Sequence, residues 1–230
     1  MFGRLFRAKA SPFTHYCERI TLRTITDVTR LDGEAIRGFL GGLSAEPRWT
    51  ELVQNTPYPK PSFLLYLVIL LAATDFLRKF RRNKVEQNPI KSITSDVAMI
   101  EASFFFWYAL ASSIASGIQH GKFSEVDREA SVFAGTILCQ IIQATTQWPI
   151  AESFAARLEN YRNTAPGNLE HSFFEVLLRS VGKRKIDEPD RDVDLLAEHA
   201  GVSDIIVHMA AMLPSHLELY RGAAENIAAG

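Results

Sequence analysis

The stretch Phe63-Leu64-Leu65-Tyr66-Leu67-Val68-Ile69-Leu70-Leu71-Ala72-Ala73 is apolar at eleven consecutive positions. Asp75-Phe76-Leu77 follow, and then the cations Arg78, Lys79, Arg81, Arg82 and Lys84. Basic residues there suit the negative end of a helix dipole, so the stretch reads as a helix over about 62–83. Upstream, the run Pro57-Tyr58-Pro59-Lys60-Pro61 stops any preceding element, because proline removes donors and forces its predecessor extended. Residues 56–61 are therefore expected to form a seam.

Two further long helices are expected downstream. One covers about 92–119, with Thr94, Ser95 or Asp96 available as a cap, and the other about 124–147, stopping before Pro149. The aromatic run Phe104-Phe105-Phe106-Trp107-Tyr108 covers every side of its helix, which fits burial on all sides. Shorter helices are expected to flank these three. Phe13, Tyr16, Cys17, Ile20, Thr24, Val28 and Leu31 follow helical spacing, although 20–23 alternates and competes as a short strand. Asp32 and Ser44 can cap two short helices. Others are expected at 149–163 and 168–182, and after a charged second seam at 183–191 come 192–200, 203–213 and 215–228, divided at Gly201 and Pro214. The whole reads as an all-α, compact multi-helix bundle, a single domain over 1–230.

Composition narrows the function. The chain has 230 residues, is 47% hydrophobic, carries 25 basic and 26 acidic groups, and so has ample material for a core without staples. Two cysteines, Cys17 and Cys139, make no disulfide framework, which points to a reducing, cytoplasmic setting. The basic start lacks the apolar core of about 7–15 residues that a signal peptide needs. The charge is uneven. Residues 1–91 carry 15 basic and 8 acidic groups, net +7, and residues 92–230 carry 10 and 18, net −8. The cluster Arg78, Lys79, Arg81, Arg82 and Lys84 is the expected contact surface for an acidic partner or for the acidic segment 187–194.

Three stretches, 61–74, 102–121 and 130–151, lack charge. A helix of the first rises only ~21 Å against the ~30 Å of a hydrocarbon core. The other two are long enough, but Gln119, His120, Gln140, Gln143 and Gln147 are expensive in lipid. Soluble core helices are the expectation, with membrane association the competing one.

Catalytic and metal signatures are not visible. His15, His120, His171, His199, His208 and His216 show neither the i, i+4 metalloprotease spacing nor a Glu-x-x-His pair. Asp190-Arg191-Asp192-Val193-Asp194 starts like a calcium loop, but Leu195 and Gly201 stand where that loop needs glycine and glutamate. Cys139 lies among Leu138, Gln140 and Ile141 and reads as an inert core thiol. No catalytic, cofactor or metal residue is assigned.

One segment has a recognisable shape. Within 194–208, Ala197, the turn Ala200-Gly201-Val202-Ser203 and Val207 stand where a helix-turn-helix puts its small packing residue, tight turn, second-helix cap and core valine. The segment resembles the helix-turn-helix of lac-repressor-type regulators, which implies DNA binding through the second helix. This chain departs from that pattern: the equivalent helix offers Asp204, Ile205, Ile206 and His208, and 187–208 holds seven acidic residues and one basic. Phosphates would be repelled. The reading is therefore a non-enzymatic helical protein-interaction module, such as an adaptor, inhibitor, immunity-type protein or accessory regulator, that self-associates. A DNA-binding regulator and a membrane-associated helical protein are the alternatives.

Overall fold

The computed structural model describes residues 12–31, 60–82, 95–146, 158–159, 161–163 and 200–228. Every regular element among them is helical, and the architecture is an all-α bundle. Its helices are α1 (Pro12–Glu18), α2 (Leu22–Arg30), α3 (Lys60–Arg82), α4 (Ser95–Gln119), α5 (Glu125–Thr146) and α6 (Ala200–Ala228). The three long helices expected from the apolar pattern thus stand within about three residues of their expected ends. The short helices expected at 32–53 and 168–182, and most of the one at 149–163, lie outside the described residues, as does the seam at 183–191.

α3 sits at the centre of the described helices, packed against α1, α2, α4, α5 and α6. That explains its composition: with a neighbour on every side, Phe63 through Ala73 are all buried, together with Phe76 and Leu77. It begins at Lys60, so the expected seam ends earlier than 61. Pro61 falls in the first turn, where a helix has no use for the missing N–H.

α1 and α2 form a broken pair rather than one helix or a strand. Thr21 stops the first and starts the second through a reciprocal cap: the Thr24 N–H donates to Thr21 Oγ1 at 3.3 Å, and the Thr21 N–H to Thr24 Oγ1 at 3.1 Å. α3 then holds the open carbonyl ends of both. Lys60 Nζ donates to the Thr29 carbonyl at 2.7 Å, while Thr74 Oγ1 and Arg78 Nη2 donate to the Cys17 and Glu18 carbonyls at 3.3 and 3.1 Å.

α4 and α5 form an antiparallel hairpin. Gly121, at φ 67°, ends α4, with the Lys122 N–H donating to the Gly117 carbonyl at 2.9 Å and the Gly121 N–H to Ile118 at 3.0 Å. Asp127 then opens α5 by accepting from both the Ser124 N–H and Ser124 Oγ at 2.8 Å. Side by side, the two helices touch where Trp107 Nε1 donates to the Ser131 carbonyl at 2.8 Å. A Cβ on Gly135 would meet the Trp107 indole at 2.5 Å, so only glycine fits there. Of the aromatic run, Phe104, Phe105 and Phe106 are buried, with Phe106 edge-on to Phe76 of α3 at 5.9 Å. Trp107 and Tyr108 are only half-buried, so burial is not complete on all sides.

The C-terminal region departs most from expectation. Residues 200–228 are one continuous helix, not helices divided at Gly201 and Pro214. Met209, His216, Tyr220 and Ala223 are buried at helical spacing on both sides of Pro214, and that shared stripe holds the helix together across the proline.

Candidate functional site

Three surfaces come out of this packing. The first is the outer face of the α4–α5 hairpin. On α4, Ser112, Ala115, Ser116 and Gln119 are exposed, and on α5 Val132, Thr136 and Gln143 are exposed beside half-buried Phe133, Cys139 and Gln140. Val132 is 60% exposed. No charged side chain stands in α4 after Glu101, which is buried, nor in α5 after Glu129. The hairpin's other charges lie toward its turn: Lys122, and then Glu125, Asp127, Arg128 and Glu129 in the first turns of α5, with Glu125 paired to Arg128. Burial pushes the Cys139 thiol up to about 12, which favours the protonated form, although the side chain is half-buried rather than in the core.

The second is the C-terminal end of α3, where α6 crosses it. Arg78 reaches the Glu18 carbonyl and lies 3.8 Å from Asp75, while Lys79 Nζ lies 2.9 Å from His208 Nδ1. Two turns further along α6, His216 Nε2 lies 3.8 Å from Asp75 and its Nδ1 2.9 Å from the Met212 carbonyl. Among the described residues, Arg78 and Lys79 of the expected contact cluster are therefore engaged by a helix end and a histidine. The acidic segment 187–194 lies outside the described residues, as do Lys84 and the side chains of Arg81 and Arg82.

The third is an open groove of about 520 Å³ at the opposite end of α3, between the α4–α5 turn and the end of α6. Pro61, Phe123, Val126 and Ile227 give it apolar walls, and Lys122, Asp127, Arg221 and Glu225 stand on its rim. Its charges are balanced. Arg221 lies between Glu218 and Glu225, and Asp127 accepts from the Tyr220 hydroxyl at 2.8 Å. Burial, and then the Asp127 carboxylate, hold the Tyr220 phenol well above its usual range, so it serves as a donor and not as a base.

The turn expected of a helix-turn-helix is helical here, and the part of that motif before Ala200 lies outside the described residues. Ala200, Gly201, Val202 and Ser203 are all within α6 and make no turn, and Val207 is 68% exposed instead of packed. Ala197 lies outside the described residues. Glycine costs about 1 kcal/mol in a helix relative to alanine, a penalty that one helix of 29 residues absorbs.

Sequence reasoning missed every pairing that joins distant segments: Lys79 with His208, Asp75 with His216, and Asp127 with Tyr220. Only the spacing of Met209, His216, Tyr220 and Ala223 across Pro214 signals that α6 is continuous. Among the described residues, no three His, Cys, Asp or Glu side chains converge in a way that would hold a metal ion. Two described helices, Lys60–Lys79 and Ala98–Gln119, are long and apolar enough to cross a membrane, and most of each is buried inside the bundle. The first exceeds the uncharged stretch 61–74 because it takes in Lys60 at one end and Asp75, Arg78 and Lys79 at the other. No protein-family model, curated protein or solved structure matches the chain.

Proposed function

We propose that the chain is a non-enzymatic helical interaction module of the cytoplasm that associates with a second copy of itself, and with a protein partner, through the outer face of the α4–α5 hairpin. The observation that carries this reading is the absence of charge from that exposed face, set against the ion pairs along exposed α6. Soluble proteins interrupt their free surfaces with charge, and depletion of charge marks the core of an interface. Under two-fold symmetry an uncharged patch meets itself without like-charge repulsion. Light scattering coupled to size exclusion tests it. The wild type should exceed the mass of one chain at micromolar concentration, and V132E combined with S116E should return it to one chain with an unchanged melting temperature. A wild type that stays at one chain up to the highest soluble concentration overturns the self-association.

A second reading, association with a membrane, is favoured by the length and composition of Lys60–Lys79 and Ala98–Gln119. It expects recovery from a carbonate-washed membrane fraction, whereas the interaction reading expects purification without detergent. Duplex recognition has less support, because α6 carries no Lys or Arg before Arg221 to meet phosphate.

A further inference from the structure

α6 carries two histidines that meet α3 through opposite charges. His208 faces the ammonium of Lys79 at 2.9 Å; His216 faces the carboxylate of Asp75 at 3.8 Å. An ammonium has only donors, so Nδ1 of His208 must be the acceptor, and the ring is neutral with its proton on Nε2. Protonating that nitrogen removes the acceptor and sets one cation against another. His216 faces a carboxylate instead, so no cation stands against its ring.

Between the two histidines stands Pro214, which has no N–H to give the Ala210 carbonyl one turn earlier. The helix is therefore missing a rung at the point where its two halves are differently anchored, which is where helices bend. After the proline, buried His216, Tyr220 and Ala223 and the Tyr220–Asp127 bond hold the helix down. Before it, Met209 is the buried anchor and Met212 and Leu213 are half-buried, whereas Val207, Ala210 and Ala211 face solvent.

We propose that α6 is an acid-operated latch hinged at Pro214: protonation of His208 against Lys79 releases residues 200–213 from α3, while residues after the proline stay docked through Asp75 and Asp127. Partial burial, and then the Lys79 charge, lower the His208 pKa from its usual value. The unfolded chain then takes up the proton first as pH falls. The contact contributes its full stability above the usual histidine range and loses it as pH drops through the lowered value.

The other described charges near α6 do not reverse this. On α3, Asp75 and Arg78 are engaged with His216, with each other and with the Glu18 carbonyl. On α2, which also packs against α6, Arg23 lies 3.7 Å from Asp27, and Arg30 carries the remaining charge. α4 presents buried Glu101, and α6 itself carries Asp204, Glu218, Arg221 and Glu225. Among the groups whose side chains are described, Lys79 is the charge that acts on His208.

Hydrogen–deuterium exchange, corrected for intrinsic rates, tests the latch on the full chain at about pH 7.5 and about pH 5.5, on either side of the usual histidine range. The expected result is loss of protection at the lower pH confined to residues 200–213, with 215–228 unchanged. H208Q keeps an acceptor that cannot be charged and should stay protected at both values. K79M removes the repulsion and should shrink the pH effect in a protein whose His208 is intact. Equal protection of 200–213 at both pH values, loss that extends equally to 215–228, or an undiminished pH effect in both variants overturns the proposal.

Discussion

α3 and α6 are both long helices, and they touch each other, yet they are stabilised in different ways. Among the described helices α3 has α1, α2, α4, α5 and α6 packed around it and is apolar around its circumference, with charge only toward its ends. α6 rests on α2, α3 and α4 along one stripe and fills its remaining surface with Glu218, Arg221, Glu225 and small residues. The difference shows what a hydrophobic pattern measures: the number of sides on which a helix has neighbours, rather than helicity itself. An unbroken run marks a central helix, and a spaced stripe marks a wall.

If that contrast holds, truncation should separate the two helices sharply. Leu67→Ala, in the fully enclosed part of α3, should cost about 2–5 kcal/mol in a denaturant melt, since its neighbours cannot collapse from any side. A loss below about 1 kcal/mol would mean α3 is less enclosed than its burial implies. Gly135→Ala extends the comparison to α5, a helix with one enclosed and one open face. The new methyl meets the Trp107 indole, so a loss of about 1–3 kcal/mol and altered tryptophan fluorescence are expected. Tyr220→Phe removes one of the bonds that fasten the wall, and should cost about 1–2 kcal/mol because Asp127 keeps its bonds from Ser124. Val207→Ala, on the open side of α6, should move stability by no more than about 0.5 kcal/mol.

The same contrast decides what the sequence discloses. α3, α4 and α5 are legible because long uncharged runs bounded by Pro61, by Ser95 and by the Gly121–Ser124 turn leave little choice of boundary. α6 is not legible by the same rules, because Pro214 and Gly201 are breakers when judged locally. The helix passes through them because Met209 and Tyr220 share one buried stripe, and that stabilisation is tertiary. The break at Thr21 is half legible: the threonines signal a competing conformation, which is a cap rather than a strand. Of the candidate contact cluster, the positions of the cations on a helix end are legible, but not their partners. Lys79 and His208 are 129 residues apart, and no local pattern records such a distance.

The two carbonyl caps that α3 supplies have a consequence for the order in which the molecule opens. Lys60 and Arg78 are 18 residues apart, a helical rise of about 27 Å, and between them they hold the C-terminal ends of α2 and α1. Each of those helices is shorter than the length at which a helix persists alone in water, about 12–15 residues. Neither therefore retains its structure once it leaves α3, and neither leaves without giving up a charged side chain of α3 to solvent. Drawn outward by its N-terminal end, the chain would release α1 and α2 first, as a single detachable clasp, with the central helix still enclosed by α4, α5 and α6.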